Sequence, residues 1–266
     1  MSAERAVPEF RGRTVLILTL VGIVALVALA VAAVFAGDFR GGQDPRAHAL
    51  SRSAVGYAAS GVLMEALGAP VVISRSRLRS ADDALLVLTP DATTTAEQLA
   101  QFPRSGGTLI VLPKWQVSSN PLNPGAVEKV APLPAGGQYT PLLAAYARRT
   151  VLRQEPTNAM ARVHFARKPQ TRFPTGRIDR LQTVAGEGWI PVMVDGAGRA
   201  VLAQSATRPT VWLLAEPDLL NNHGLASRDN AWLAGMLLDL GRHDGPVIFD
   251  VTLAGYERER GIGRTL

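Results

Sequence analysis

Near the start of the chain, Arg11 and Arg13 are followed by a run without one charged side chain, Thr14 to Ala36. Roughly 23 residues at 1.5 Å rise match a bilayer core of about 30 Å, a length over which the helices of soluble domains seldom stay apolar. The reading is a transmembrane helix over 14–36, and whatever follows is a domain held at a membrane surface. A cleaved secretory signal shares the basic start and the apolar stretch, and Val34-Phe35-Ala36 resembles a small-residue cleavage site. Signal h-regions, however, run about 7–15 residues, which favours an uncleaved anchor. The arginines packed against the entry end favour a cytoplasmic tail over 1–13 and an exported domain.

Beyond the span lie about 230 residues, enough for one sizeable core or a core with an inserted subdomain. With 47% hydrophobic and 19% charged residues, the chain is globular rather than disordered, the apolar span accounting for part of its hydrophobic content. The 28 Lys+Arg against 22 Asp+Glu are mostly scattered arginines, densest at Arg148-Arg149, Arg162, Arg167-Lys168 and Arg172 to Arg177. A nucleic-acid site needs clustering with interleaved aromatics, so no nucleic-acid partner is expected, and a basic surface near anionic lipid is the simpler explanation. The absence of cysteine removes disulfides, thiol nucleophiles and zinc-thiolate sites. The four histidines, His48, His164, His223 and His243, have no metal-ligand spacing, so neither a metal nor a cofactor is expected.

Residues 37–52, rich in Gly, Asp and Arg with Pro45, read as a juxtamembrane linker. Ser53 precedes a helical pattern through Val55, Ala58, Val62 and Ala66, closed by Gly68. Val71-Val72-Ile73, Leu85 to Leu88 and Thr108 to Leu112 read as strands, the last two apolar throughout as strands covered on both faces must be. Between the latter two, Thr93, Thr94 and Thr95 offer a capping hydroxyl to a helix reaching Phe102. This β–α alternation predicts a mostly parallel sheet with right-handed crossovers. From 113 to 188, repeated prolines predict a mixed, irregular insertion, with Val163-His164-Phe165 one of its strands. The pattern returns with a hairpin over Ile190–Val194 and Ala200–Ala203, then a central strand Val211–Ala215. A helix capped by Ser227 and ended by Gly241, a strand Val247–Phe249 and a polar tail over 257–266 complete the chain.

Several stretches carry a resemblance: SAVGYAASGVLMEALGAPVV at 53–72, LLVLTPD at 85–91, GGTLIVLP at 106–113, LAEPDLLNNHGLASRDNAWLAGMLLDL at 214–240 and VIFD at 247–250. In these the chain resembles bacterial membrane proteins carrying the domain of unknown function 4350. That family follows VIFD with an acidic residue and His-Gly, whereas VTLAG stands here. The resemblance implies a doubly wound α/β fold over 53–256, similar to class I glutamine amidotransferases and flavodoxin-like. It also implies an amino-terminal anchor in the bacterial inner membrane, and commonly a second span where this sequence ends. A MoxR-type AAA ATPase system is the implied partner, and the membrane is the other.

Amidotransferase chemistry needs a nucleophilic thiolate on a strand-to-helix elbow. The elbow after Leu112 reads Pro113-Lys114-Trp115, so that activity is excluded, and no GxSxG offers a serine in its place. Ligands of open α/β sheets bind outside the carboxyl ends of the strands. The candidate ligand-binding residues are accordingly Thr89 and Asp91 after one strand, and Glu216, Asp218, Asn222, Asp229 and Asn230 after another. The competing reading is local architecture: Asp218 capping the turn 219–221, Asn222 in left-handed geometry and Asn230 tying the loop to the next helix. Lys114 and Trp115 are expected at most to shape a pocket rim. The expectation is a non-enzymatic, membrane-anchored scaffold or sensor of the cell envelope. Its rival is a membrane-tethered hydrolase or carbohydrate-active protein using Asp91, Glu216 and Asp218, which two carboxylates about 5–10 Å apart in one pocket would favour and isolated, capped ones would not.

Overall fold

The computed structural model describes residues 12–41, 44–76, 78, 80–103, 105–120, 127–135, 139–155 and 158–257. They fall into two units, divided between Gly41 and Gly42. The first is helix α1, Gly12–Gly41, whose described side chains from Leu16 to Leu29 are all exposed. The helix expected over 14–36 is present and longer at both ends. The crossing expected of it gains no support from the described residues, among which no helix is long and apolar enough to traverse a membrane. The tails expected over 1–13 and 257–266 lie almost wholly outside the described residues.

The second unit begins with helix α2 (Ala58–Ala66), strands β1 (Val71–Ser74) and β2 (Leu85–Leu88), helix α3 (Ala96–Ala100) and strand β3 (Gly107–Val111). A hairpin β4 (Trp115–Ser119) and β5 (Val127–Pro132) follows, then α4 (Tyr139–Leu143) and β6 (Val151–Gln154). Next come β7 (Asn158–Phe165), β8 (Lys168–Asp179), β9 (Gln182–Ala185), β10 (Trp189–Val194), β11 (Ala200–Ser205) and β12 (Val211–Leu214). Helix α5 (Arg228–Arg242) and strand β13 (Val247–Asp250) complete it.

The main sheet runs β1-β13-β2-β3-β12-β11-β10-β7-β8, with β9 paired to β11 and β6. Its first five strands are mutually parallel, and the direction reverses between β12 and β11. The result is a mixed α/β fold with a largely parallel centre. Every residue of β2, β3 and β13 is buried, because alternate side chains point to opposite faces and both faces are covered. Leu85, Val87, Leu109 and Val111 pack with Met64 of α2 and Leu233 and Leu237 of α5. Leu86, Leu88, Ile110 and Leu112 pack with Leu99 of α3 and Leu142 and Leu143 of α4 on the other side. The stretch 113–188 holds a short helix and antiparallel strands, with Val163–Phe165 inside β7, and its strands β6 to β9 join the main sheet.

Three boundaries differ from expectation. The stretch 37–52 is not one linker: α1 reaches Gly41, and His48, Ala49 and Ser51 are buried in the second unit. His48 packs 4.9 Å from the Tyr256 ring, and the Tyr256 hydroxyl donates to Asp44 at 2.7 Å, closing the two ends of the unit on each other. Ser53 caps no helix. Its hydroxyl bonds Pro45 O and Ser51, and α2 begins at Ala58 under a different capping residue, Asn222, whose Oδ1 accepts from Ala59 N at 2.8 Å. Helix α5 runs past Gly241 and ends on His243 in left-handed geometry. The Thr95 cap does form, as a capping box with Gln98, although α3 closes before Phe102.

Candidate functional site

Strands β3 and β12 are parallel neighbours with Val111 opposite Leu214, so the residues just past their carboxyl ends emerge side by side. Lys114 and Glu216 are those residues, and they meet despite their separation in sequence. The Lys114 ammonium lies 2.8 Å from both Glu216 oxygens and 3.1 Å from Asp218 Oδ2. Lys114 is 1% exposed and Glu216 fully buried, and a charge in such a place is tolerated only when paired and hydrogen-bonded.

Every remaining contact in the cluster completes that pairing. Glu216 accepts from Gln182 N at 2.7 Å and from Asp218 N at 3.0 Å. Asp218 accepts from Trp115 Nε1 at 2.9 Å and from Asn221 Nδ2 at 2.6 Å, and Lys129 Nζ lies 3.5 Å away. The Gln182 side chain donates to Ala215 O at 2.6 Å, fastening β9 to the end of β12. Lys129 sits over the Trp115 ring, 4.5 Å from its centre, which joins the two strands of the β4–β5 hairpin, and both residues reach Asp218.

Burial pushes the Glu216 carboxyl up to about 7 against the pull of Lys114, with Asp218 pushing the same way. Burial acts upward on Asp218 as well, but Lys114 and Lys129 outweigh it and hold that carboxyl below its usual range. Burial lowers Lys129, only partly opposed by Asp218. Two carboxylates share one ammonium while their environments push them apart.

A cleft of about 150 Å³ opens beside this cluster, lined by Tyr57, Asp91, Lys114, Trp115 and Asn221 with Arg46 at its edge. Val55, Pro113, Val117, Leu133 and Pro217 give it an apolar lining. It sits at the carboxyl ends of β2, β3 and β12, where the α/β rule places ligands. Glu216 is fully buried and is not in the cleft lining, whereas its partner Lys114 is.

The expected site residues divide into three groups. Glu216 and Asp218 converge, and Asp91 lines the adjoining cleft. Thr89 is buried at the end of β2 and is not in the cleft lining. Asn222 and Asn230 are architectural: Asn222 also donates to Ser51 O and Ser53 O, and Asn230 Nδ2 donates to Gly224 O at 3.0 Å, as the competing reading expects. Asp229 lies in the first turn of α5. Two details of that reading are corrected. Asn222 is not among the positive-φ residues, and the turn 217–219 is capped by Glu216 rather than by Asp218, whose oxygens face the lysines and Trp115. The two-carboxylate criterion is met in neither of its forms, since the pair is close together yet sealed behind its own counter-ion.

Sequence reasoning assigned Lys114 and Trp115 only a rim and missed Lys129, Gln182 and Tyr57. The sequence offered no signal for the burial of Lys114, since a lysine past a strand end is ordinarily exposed and is buried only where acidic groups pair with it. Among the described residues no group of three or more His, Cys, Asp or Glu is arranged to hold a metal. A family model described as Domain of unknown function (DUF4350) matches residues 49–238. Comparison with curated proteins gives no match.

Proposed function

Since the chain belongs to the DUF4350 family, whose description carries no activity, we propose that it is a non-enzymatic binding module, a scaffold or sensor tethered to the bacterial inner membrane. The observation that carries this reading is the state of Glu216 and Asp218. All their oxygens accept bonds from Lys114, Gln182, Trp115, Asn221 or the Asp218 backbone, and neither carboxylate is left to take a proton from a substrate. In this reading the mixed α/β fold is an amidotransferase-like, doubly wound one without its nucleophile: the stretch after β3 holds Lys114, and the chain has no cysteine.

The tether in this proposal is α1. Its support is the charge-free run 14–36 and the exposure of Leu16, Leu18, Leu20 and Leu26, each 60–69%, which water would not stabilise. The implied partner is a MoxR-type AAA ATPase system, and the domain is extracytoplasmic.

The rival hydrolase reading draws on Glu216, whose carboxyl near 7 has the value a general acid needs at neutral pH. Its burial behind Lys114 weighs against it. The deciding experiment is affinity purification of the full chain from membranes, followed by identification of co-eluting proteins and turnover assays with ester, glycoside and amide substrates. Co-elution of an AAA ATPase without turnover is expected. Robust hydrolysis lost in Glu216→Gln overturns the proposal. Reporter fusions on either side of 14–36 test the topology.

A further inference from the structure

We propose that the cleft beside Lys114 recognises a primary ammonium group on a short apolar stem, with Asp91 as counter-ion and the Tyr57 hydroxyl as hydrogen-bond acceptor. The inference rests on the binding-module reading and names the chemistry that module selects.

The first observation is Tyr57. It is 1% exposed, it lines the cleft, and its hydroxyl has no hydrogen-bond partner among the described residues. The hydroxyl is not sealed from solvent: it opens on the cleft, where water or a ligand can supply the missing bond. A ligand group that bonds this hydroxyl takes the place of that water. Tyr57 holds its proton firmly, because burial and the nearby Asp218 and Glu216 raise its pKa. It therefore meets a ligand as a neutral hydroxyl, able to donate or to accept, and the Asp91 carboxylate in the same lining is what favours N–H groups and the accepting role.

The second observation is the charge balance around the cleft. Lys114 pairs with Glu216, Lys129 with Asp218, and Arg46 with Asp44, the last through Nε and Nη2 at 3.0 and 2.7 Å. Asp91, the acidic group in the lining, has no cationic partner among the described residues. Its bonds come from Thr93 N, Thr93 Oγ1 and Thr94 Oγ1, all to Oδ1, at 2.7–3.1 Å. Burial works to raise the Asp91 carboxyl, but these threonine bonds outweigh it and hold it below its usual range, so it is ionised at neutral pH. One uncompensated carboxylate and one unpartnered hydroxyl in an apolar lining select a small cation that carries N–H donors. An anion would face Asp91 with no free cation buried beside it.

With about 150 Å³ available, the cleft admits one such group and a few carbons. A lysine side chain or amino terminus of a polypeptide has this chemistry, and so does an ethanolamine head group. The test is calorimetric titration of the full chain in detergent micelles with n-butylammonium, 1-butanol and butyrate, which differ only in the polar end. The ammonium is expected to bind at least about tenfold more tightly than the alcohol, with butyrate weakest. Asp91→Asn keeps an Oδ1 for the threonine turn and removes the charge, and it should abolish the preference. Tyr57→Phe deletes a hydroxyl that bonds nothing in the free protein, so it should leave thermal stability intact and weaken the ammonium about threefold to tenfold.

Equal binding of alcohol and ammonium, tighter binding of butyrate, or a preference that survives Asp91→Asn overturns the inference. Nα-acetyl-lysine amide and glycerophosphoethanolamine then identify the source, and preferential binding of either one supports it. Failure of every amine while an AAA ATPase still co-elutes removes this inference alone. Turnover of an amine-bearing substrate removes the non-enzymatic reading and leaves the recognition standing.

Discussion

Lys114→Met isolates the central interaction of the carboxyl-end cluster. The substitution keeps the length of the aliphatic stem and deletes an ammonium that makes three charge-assisted contacts with Glu216 and Asp218. Removing one partner of a buried pair costs about 3–5 kcal/mol, because the remaining charge is left without its counter-ion. Against a typical domain stability of about 5–15 kcal/mol that loss is severe. For a domain of this size it corresponds to a fall in Tm of roughly 6–20 °C. The deficit should also vary with pH. Without Lys114, Glu216 can escape part of the penalty by taking up a proton, so the loss should be smaller at pH 6 than at pH 8. Adding Glu216→Gln to Lys114→Met should recover part of the stability for the same reason. The assay is thermal unfolding followed by far-UV circular dichroism at both pH values. A Lys114→Met protein within about 1 kcal/mol of the parent at pH 8 would refute the claim that this ion cluster holds β3, β9 and β12 together.

Glu216→Gln alone should flatten the pH profile of stability. The folded Glu216 carboxyl stands near 7, above its unfolded value, so its favourable contribution is present below the ordinary carboxylate range and disappears as pH rises towards 7, which denaturant titrations across that window will show. His48 has the opposite sign. Burial lowers its pKa despite the Asp44 carboxylate, and its Nδ1 already accepts from Leu50 N, so the buried neutral ring contributes stability at neutral pH that is lost in acid, below the usual histidine range. His48→Gln should remove that acid-side loss, which denaturant unfolding repeated at acid and neutral pH will show. Asn222→Ala deletes the cap of α2 and two bonds to the 51–53 turn, and should cost about 1–3 kcal/mol by urea unfolding, with no change in amine binding at the cleft.

How much was legible follows from where each interaction lies along the chain. The runs at Leu85–Leu88 and Thr108–Leu112 declared themselves as doubly covered strands, because a residue buried on either face has to be apolar. The 190–203 hairpin was equally plain, since Asp195 and Gly198 form its turn locally: Asp195 Oδ1 accepts from Ala197 N and Arg199 N at 2.9 Å. The neighbourhood of the site was readable too, because Glu216 and Asp218 follow a strand end. Their partners were not. Lys114 is 102 residues from Glu216, and Tyr256 is 212 residues from Asp44, so neither pairing leaves any periodic trace in the sequence. Asn222 shows the same limit in another form. As an Asn before His-Gly it suggested a local left-handed turn, whereas its side chain caps a helix 163 residues earlier.

Residue order by itself determined the covered parallel strands, the apolar run at the amino terminus and the absence of a thiol nucleophile, all consequences of side-chain type and short-range spacing. Tertiary structure alone decided that Lys114 pairs with the two acids and that, among the described residues, neither the Asp91 charge nor the cleft-facing Tyr57 hydroxyl has a counter-group. The physical reason is that ionisation and hydrogen-bond satisfaction depend on which groups lie within about 4 Å, and strand order rather than sequence distance sets that separation.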